Sequence, residues 1–356
     1  MKNVKNNKIN NNKRSRRGVI DAQFNWIFVM IAGFVIFLFI IGIVLSQKSA
    51  ADKQTSITVI NQITALLKGK QQTSDIYSEI TFPRTEVTFR CDPDDGTFNF
   101  RIGNSVTNQL PVEIIFAPQS TSTNKLMVWS QAFMTGFPVG AFTYITTADS
   151  IILIFNNSED NRNEYAEDLF ADLPSNITHK YITSLSDYSS FKKRRIVCFE
   201  GYCPGNFGTG TADADYLKIS PGQGSGLYDY GNVTFHKKGS NGAATNSVMP
   251  YVSKAGLYGA IFSDSRDYYT CQMSRAMKQF EIERSIVERR LFLIQNNLGE
   301  GECRTTINST LDYQIIPMNS DTKLKWSNIT DLNYNIKALD LRNINLGFNS
   351  CGPGIY

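Results

Sequence analysis

Hydrophobic and polar positions change rhythm several times along the chain. From Trp26 to Leu45 the run WIFVMIAGFVIFLFIIGIVL carries no charge, and about twenty such residues in a helix cross a hydrocarbon core of about 30 Å. Beyond it, Val59, Ile60, Ile63, Leu66 and Leu67 recur at helical spacing, with Lys53, Gln54, Thr58, Asn61, Gln62 and Lys68 on the other faces. Gly69 is a natural stop. The pattern predicts one helix from Phe24 to Leu67, roughly 65 Å long, spanning a membrane in its first half and continuing as an amphipathic stalk.

A period of two then takes over. Val87–Cys91 and Thr97–Ile102 flank a DPDDG turn and read as a β-hairpin, followed by strands at Val112–Phe116 and Lys125–Trp129. From Ala141 the strands AFTYI and SIILIF, the helix RNEYAEDLFADL and the strands KYITSL and RRIVCF alternate as βαβ units do, which predicts a partly parallel sheet. Residues 201–246 are Gly-rich and polar, with NVTFHKK as their strand. Gly256–Phe262 reads as a last strand, and Ser263-Asp264 as the cap of a long helix from Ser265 to Leu298. The apolar stripe of that helix is Tyr269, Met273, Ala276, Phe280, Val287, Leu291, Ile294 and Leu298. A weaker helix is expected after Cys303 and another over 322–341.

The expected fold class is α+β: an N-terminal transmembrane and stalk helix, then a mixed-sheet extracytoplasmic domain with a C-terminal helical bundle. The corresponding segments are a basic cytoplasmic tail at 1–17, a transmembrane helix at 24–46, an amphipathic stalk at 47–70, a mixed β and αβ domain at 71–262, and a helical part packed on it at 263–356.

Charge sets the orientation. Lys2, Lys5, Lys8, Lys13, Arg14, Arg16 and Arg17 precede the apolar run with no acid before Asp21, so the inside-positive bias puts the N-terminus in the cytoplasm and the bulk of the chain outside. The apolar run exceeds the core of a secretory signal, and the SQKSAADKQ that follows lacks an A-x-A-like cleavage site, so an uncleaved anchor is expected. These cations also account for the net charge of +4. They therefore do not argue for nucleic acid as a partner.

Export changes the reading of the six cysteines, which become disulfide candidates. Cys198 and Cys203 are close enough in sequence to close a small loop. An unbroken helix would hold Cys271 and Cys303 about 40 Å apart, far beyond disulfide reach. The expected remaining pairs are Cys271 with Cys351 and Cys91 with Cys303. A zinc site is not expected, since no C-x-x-C occurs. Asp92, Asp94 and Asp95 in the DPDDG turn offer oxygen ligands at a spacing calcium could use, although a tight turn needs the same residues.

Candidate catalytic residues are scarce. The two histidines, His179 and His236, lie in no recognisable motif, and no G-x-S-x-G occurs. GNFGTG lacks the Lys-Ser/Thr of a phosphate loop. Asn156, Asn176, Asn232, Asn308 and Asn328 open glycosylation sequons. No cofactor is expected.

The basic leader, long apolar helix and amphipathic extension resemble the N-termini of type IV pilins and archaellins, including archaeal pilin-like proteins, over residues 14–67. AQFNWIFVMIAGFVIFLF is similar to the start of uncharacterised single-pass surface proteins of small-genome archaea. The pilin resemblance implies cleavage by a dedicated peptidase after Gly18 or after Ala22; the glutamate that bacterial pilins carry at the fifth mature position is absent from both registers. The expected function is a membrane-anchored cell-surface protein with a structural or binding role, adhesin-like or pilin-like. Its expected partners are the membrane, a second copy through the stalk, and a surface protein or glycan. The alternative is a membrane-anchored hydrolase with its site in the Gly-rich loops 201–246.

Overall fold

A computed structural model of the chain describes residues 17–70, 76–92, 96–103, 107–110, 113–156, 163–183, 191, 193–203, 215–222, 227–236, 248–297, 301 and 303–305. The chain divides into a first unit ending at Thr55 and a second beginning at Ser56. Helix α1 (Arg17–Lys70) contains the expected Phe24–Leu67 and begins seven residues earlier, at Arg17. In the first unit the large apolar side chains from Trp26 to Leu45 stand exposed, Trp26 at 76%. Trp26–Lys48 is long and apolar enough to cross a membrane, and among the described residues no other helix is.

In the second unit the period of 3.6 has a clear destination. Val59, Ile60, Ile63 and Leu67 of α1 are buried in a cluster with Val87, Phe89, Phe98, Phe100 and Leu126. Those partners belong to the first of two sheets. It is formed by β1 (Tyr77–Cys91), β2 (Phe98–Ile102), β3 (Asn108–Gln109), β4 (Ile114–Phe116), β5 (Ser120–Met134) and β6 (Pro138–Thr147), in the order β3-β2-β1-β5-β6-β4. The expected hairpin is present, with Val87 opposite Ile102 and Cys91 opposite Phe98. Alternation along β1 and β2 puts Phe89 and Phe100 on the α1 side.

The second sheet contains β7 (Ser150–Phe155), β8 (His179–Ile182), β9 (Lys193–Phe199), β10 (Asp215–Pro221), β11 (Tyr230–His236) and β12 (Val248–Val252), in the order β12-β11-β10-β9-β7-β8. β7, β8, β9 and β10 are parallel, as the alternation of strands and helix implies. Helix α2 (Glu164–Asp172) connects β7 to β8, and the Asn163 side chain caps it by accepting from Tyr165 N. The two antiparallel steps to β11 and β12 bring β12 back to the direction of the parallel strands.

Residues 256–262 correct the sequence reading. They form not a strand but most of α3 (Ser253–Phe262), every residue of which from Ala255 onward is buried. A helix enclosed on all sides has no polar face, so its apolar run carries no period and reads like a buried strand. Its partners come from both sheets: Tyr144 of β6 donates its hydroxyl to Ala255 O at 2.9 Å, and Trp129 of β5 sits edge-on to Tyr258 at 4.8 Å. From the second sheet Arg195 Nε donates to Ile261 O, and Leu257 and Ile261 share one core with Val197, Leu217, Val233 and Tyr251.

Helix α4 (Arg266–Asn297) follows within a residue of its expected bounds, and Tyr269, Met273, Ala276, Phe280 and Leu291 of the expected stripe are buried. Its cap differs from expectation, because Ser265 Oγ accepts from Tyr268 N while Asp264 binds elsewhere. Asp264 Oδ2 accepts from Gln119 N, just before β5, and from Lys193 Nζ at the start of β9, both at 2.9 Å, so one carboxylate ties the two sheets. Of the helix expected after Cys303 only 303–305 are described, and they are helical; the helix expected over 322–341, and with it the C-terminal bundle, lies outside the described residues.

The disulfides also correct the reading. Cys91 at the end of β1 joins Cys271 in the second turn of α4, Cα to Cα 6.0 Å, in place of the expected Cys91–Cys303 and Cys271–Cys351. The cause is that α4 packs its first turns under the first sheet, where Tyr268 enters the cluster containing Cys91. Cys198 and Cys203 are joined, Cα to Cα 5.1 Å. Cys303 is also disulfide-bonded, and Cys351 lies outside the described residues.

Close packing of α3 yields a paired prediction. A Cβ on Gly259 would lie 2.7 to 3.0 Å from ring carbons of Phe116, which is wedged against Phe142, Tyr144 and Tyr269, whereas a Cβ on Gly256 would meet nothing nearer than 3.7 Å. Gly259→Ala is expected to destabilise by about 1–2 kcal/mol despite the better helix propensity of alanine. Gly256→Ala is expected to stabilise by about 0.5–1 kcal/mol. Urea unfolding of the full chain in detergent, followed by circular dichroism, checks both signs.

Candidate functional site

The carboxyl ends of β7, β8, β9, β10 and β12 lie along one edge of the second sheet, which is where open α/β sheets hold ligands. Two chain segments meet at the β12 end of that edge: Ser253 N donates to Asp229 O at 2.8 Å. Ser253 has φ +62°, the one non-glycine residue with positive φ among the described residues, at a turn from strand directly into helix. That backbone disfavours a side chain, and such strain collects at sites where a side chain is aimed. Its Oγ is buried without a hydrogen-bond partner among the described residues.

The next residue, Lys254, belongs to a polar and aromatic cluster. Asp172, at the end of α2, accepts from Lys254 Nζ through Oδ1 and from the Tyr258 hydroxyl through Oδ2, the latter at 2.5 Å. The Lys254 ammonium also lies 5.3 Å from the centre of the half-buried Tyr228 ring, and the Tyr228 hydroxyl donates to Asp168 O at 3.1 Å. Burial, chiefly, raises the pKa of Tyr258 and Tyr228, and the Asp172 carboxylate adds to both. Both phenols are therefore protonated donors at neutral pH.

A serine nucleophile needs an acceptor for its proton, yet the Asp172 carboxylate is occupied by Lys254 and Tyr258, and neither histidine is a partner of Ser253. The Tyr258 and Tyr228 hydroxyls are spent on Asp172 and Asp168 O and the Lys254 ammonium on Asp172, so the cluster is a closed internal network with the Tyr228 ring as its half-buried face.

Of the stretch 201–246 expected to hold a hydrolase site, Tyr228 and Asp229 belong to this edge cluster; the two histidines and Asp92 have partners of their own. His179 uses Nδ1 on Ile177 O at 2.6 Å and packs edge-on to Phe170. His236 is buried against Tyr216, rings 3.9 Å apart, and burial, then the Lys218 charge, lowers its pKa, so it is neutral. Asp92 closes the hairpin turn through backbone bonds with Thr97 and Gly96; Asp94 and Asp95 are outside the described residues, and no group of metal-binding side chains occurs among those described. Of the sequons, Asn176 is exposed in a turn, Asn156 accepts from Asn163 N, and Asn232 lies mid-sheet between Ser220 and Pro250; Asn308 and Asn328 are outside the described residues. So is 204–214, the part of the Gly-rich loops that follows β9. The overlooked signal was Ser253-Lys254 at the end of an apolar run, a helix start after a strand.

Ser253→Gly gives a test of the strain. Glycine adopts positive φ freely and removes an unpartnered hydroxyl, so stability is expected to rise by about 1 kcal/mol. The urea midpoint checks it; an unchanged or lowered midpoint contradicts a strained serine.

Comparison with protein-family models, with curated proteins and with solved structures gives no match.

Proposed function

We propose that the chain is a single-pass membrane protein, N-terminus in the cytoplasm and second unit outside, serving the cell surface as a structural or binding element. Its sharper form is a pilin-like subunit whose leader is removed after Gly18 or Ala22. The observation that carries the reading is the exposed run of large apolar side chains from Trp26 to Leu45, a surface that water disfavours and lipid accepts. The cations ahead of that run support the orientation. Disulfides at Cys91–Cys271 and Cys198–Cys203 support an oxidising compartment.

Protease added to intact cells carrying the C-terminally tagged full chain tests it. The tag is expected to be lost from the outside while the protein resists carbonate extraction, and a tag protected until lysis overturns the orientation. The intact mass of the purified protein tests the sharper form: loss of residues 1–18 or 1–22 supports it, and an untouched N-terminus ends it.

A further inference from the structure

The last four turns of α4 carry a second apolar stripe besides the one that enters the core. Ile282, Ile286 and Leu293 are 61%, 55% and 47% exposed, and Phe292 beside them 45%. Their spacing of four and seven, with Arg289 between Ile286 and Leu293, is the alternation of three and four of a coiled-coil seam. Arg289, Arg290, Ile286, Leu293, Ile294 and Asn297 line an open cavity of about 500 Å³ along this face. Three exposed apolar side chains at seam positions on one helix face call for a partner surface.

Charge identifies that surface. Acids flank the start of the stripe, at Glu281 and Glu283, and bases its end, at Arg289 and Arg290. Arg284 is already paired with Glu288 within the helix at 3.7 Å, which leaves Glu283 and Arg290 outside that pair. A parallel copy would stack Arg289 on Arg289 within the seam. An antiparallel copy reverses the order and opposes acids to bases. In seam geometry, with Ile282 and Arg289 as one kind of core position and Ile286 and Leu293 as the other, the antiparallel layers are Ile282 on Leu293 of the second copy and Ile286 on the Arg289 stem. The flanking positions then pair Glu283 with Arg290, twice per dimer by symmetry.

We infer that this face of α4 is a self-association surface, on which a second copy of the chain docks antiparallel through Ile282, Ile286 and Leu293, with Glu283–Arg290 pairs setting the direction. A seam of four layers is short, so the contact is weak in solution and gains from the confinement that a membrane anchor provides.

Sedimentation equilibrium of the full chain in detergent, across a range of protein-to-detergent ratios, tests the inference. A monomer–dimer equilibrium is expected for the wild type, and Ile286→Asp is expected to abolish it. Glu283→Arg and Arg290→Glu should each raise the dissociation constant about tenfold, and the double reversal should restore it to within about threefold. Circular dichroism of each variant establishes that it is folded. Monomers at every concentration overturn the inference. So does a dimer that Ile286→Asp leaves intact, which would place the contact in the anchor, and so does a double reversal as weak as either single one. The Ile282→Cys/Leu293→Cys variant adds a direct readout: oxidation should give a covalent dimer, and cross-linking to residues 306–356 of the same chain would overturn the proposal.

Discussion

The second unit depends on the burial of one short helix between two sheets. Neither sheet closes its own core, since β5 and β6 turn Trp129, Phe142 and Tyr144 toward α3, and β9 to β12 turn Val197, Leu217, Val233 and Tyr251 toward the same core. Sheets with one unpaired apolar face are unstable until covered; α3 lies in the core common to both, completed by Ala166 and Leu169 of α2 and by Tyr269, Met273 and Phe280 of α4. The cost appears at its two ends. At the start, Ser253 takes a backbone conformation that disfavours its side chain so that the chain passes from strand to helix without a loop. Beyond the end, Asp264 accepts from Gln119 and Lys193, one from each sheet, which fixes the spacing that α3 fills.

Helix α4 secures the other face of this arrangement. Arg275 is buried, donating to Gln272 Oε1 and to Leu110 O at 3.0 Å each, over the ring of Phe98. Gln272 Oε1 also accepts from Ile115 N, and the Tyr268 hydroxyl donates to Ile115 O at 2.9 Å. Burial lowers the pKa of the guanidinium, and the Glu113 charge opposes that shift. A buried charge is tolerated where its donors are matched; here the match crosses from α4 to the loop before β4, close to the Cys91–Cys271 bond. One polar network and one covalent bond thus hold the start of α4 against the first sheet.

Much of this was legible in the residues. The α1 span, the β1–β2 hairpin, the parallel strands around α2 and the bounds of α4 all show a local period, and each is where its period puts it. What failed was set by contacts distant in sequence. GLYGAIF has no period because α3 is enclosed, so strand and helix read alike. The disulfide between residues 91 and 271 depends on which sheet α4 crosses, which spacing does not record. The edge cluster joins Asp172, Tyr228, Ser253, Lys254 and Tyr258 from three stretches of chain, none of them a motif.

If α3 is the shared core, its amides open only when the whole second unit unfolds. Native-state hydrogen exchange of the full chain in detergent, read by mass spectrometry, measures this directly. Peptides covering Ala255–Phe262 should exchange as slowly as the slowest peptides of β5 and β9, with the same dependence on denaturant. Exchange of α3 well ahead of either sheet would contradict the account, since each sheet would then hold together without the helix between them.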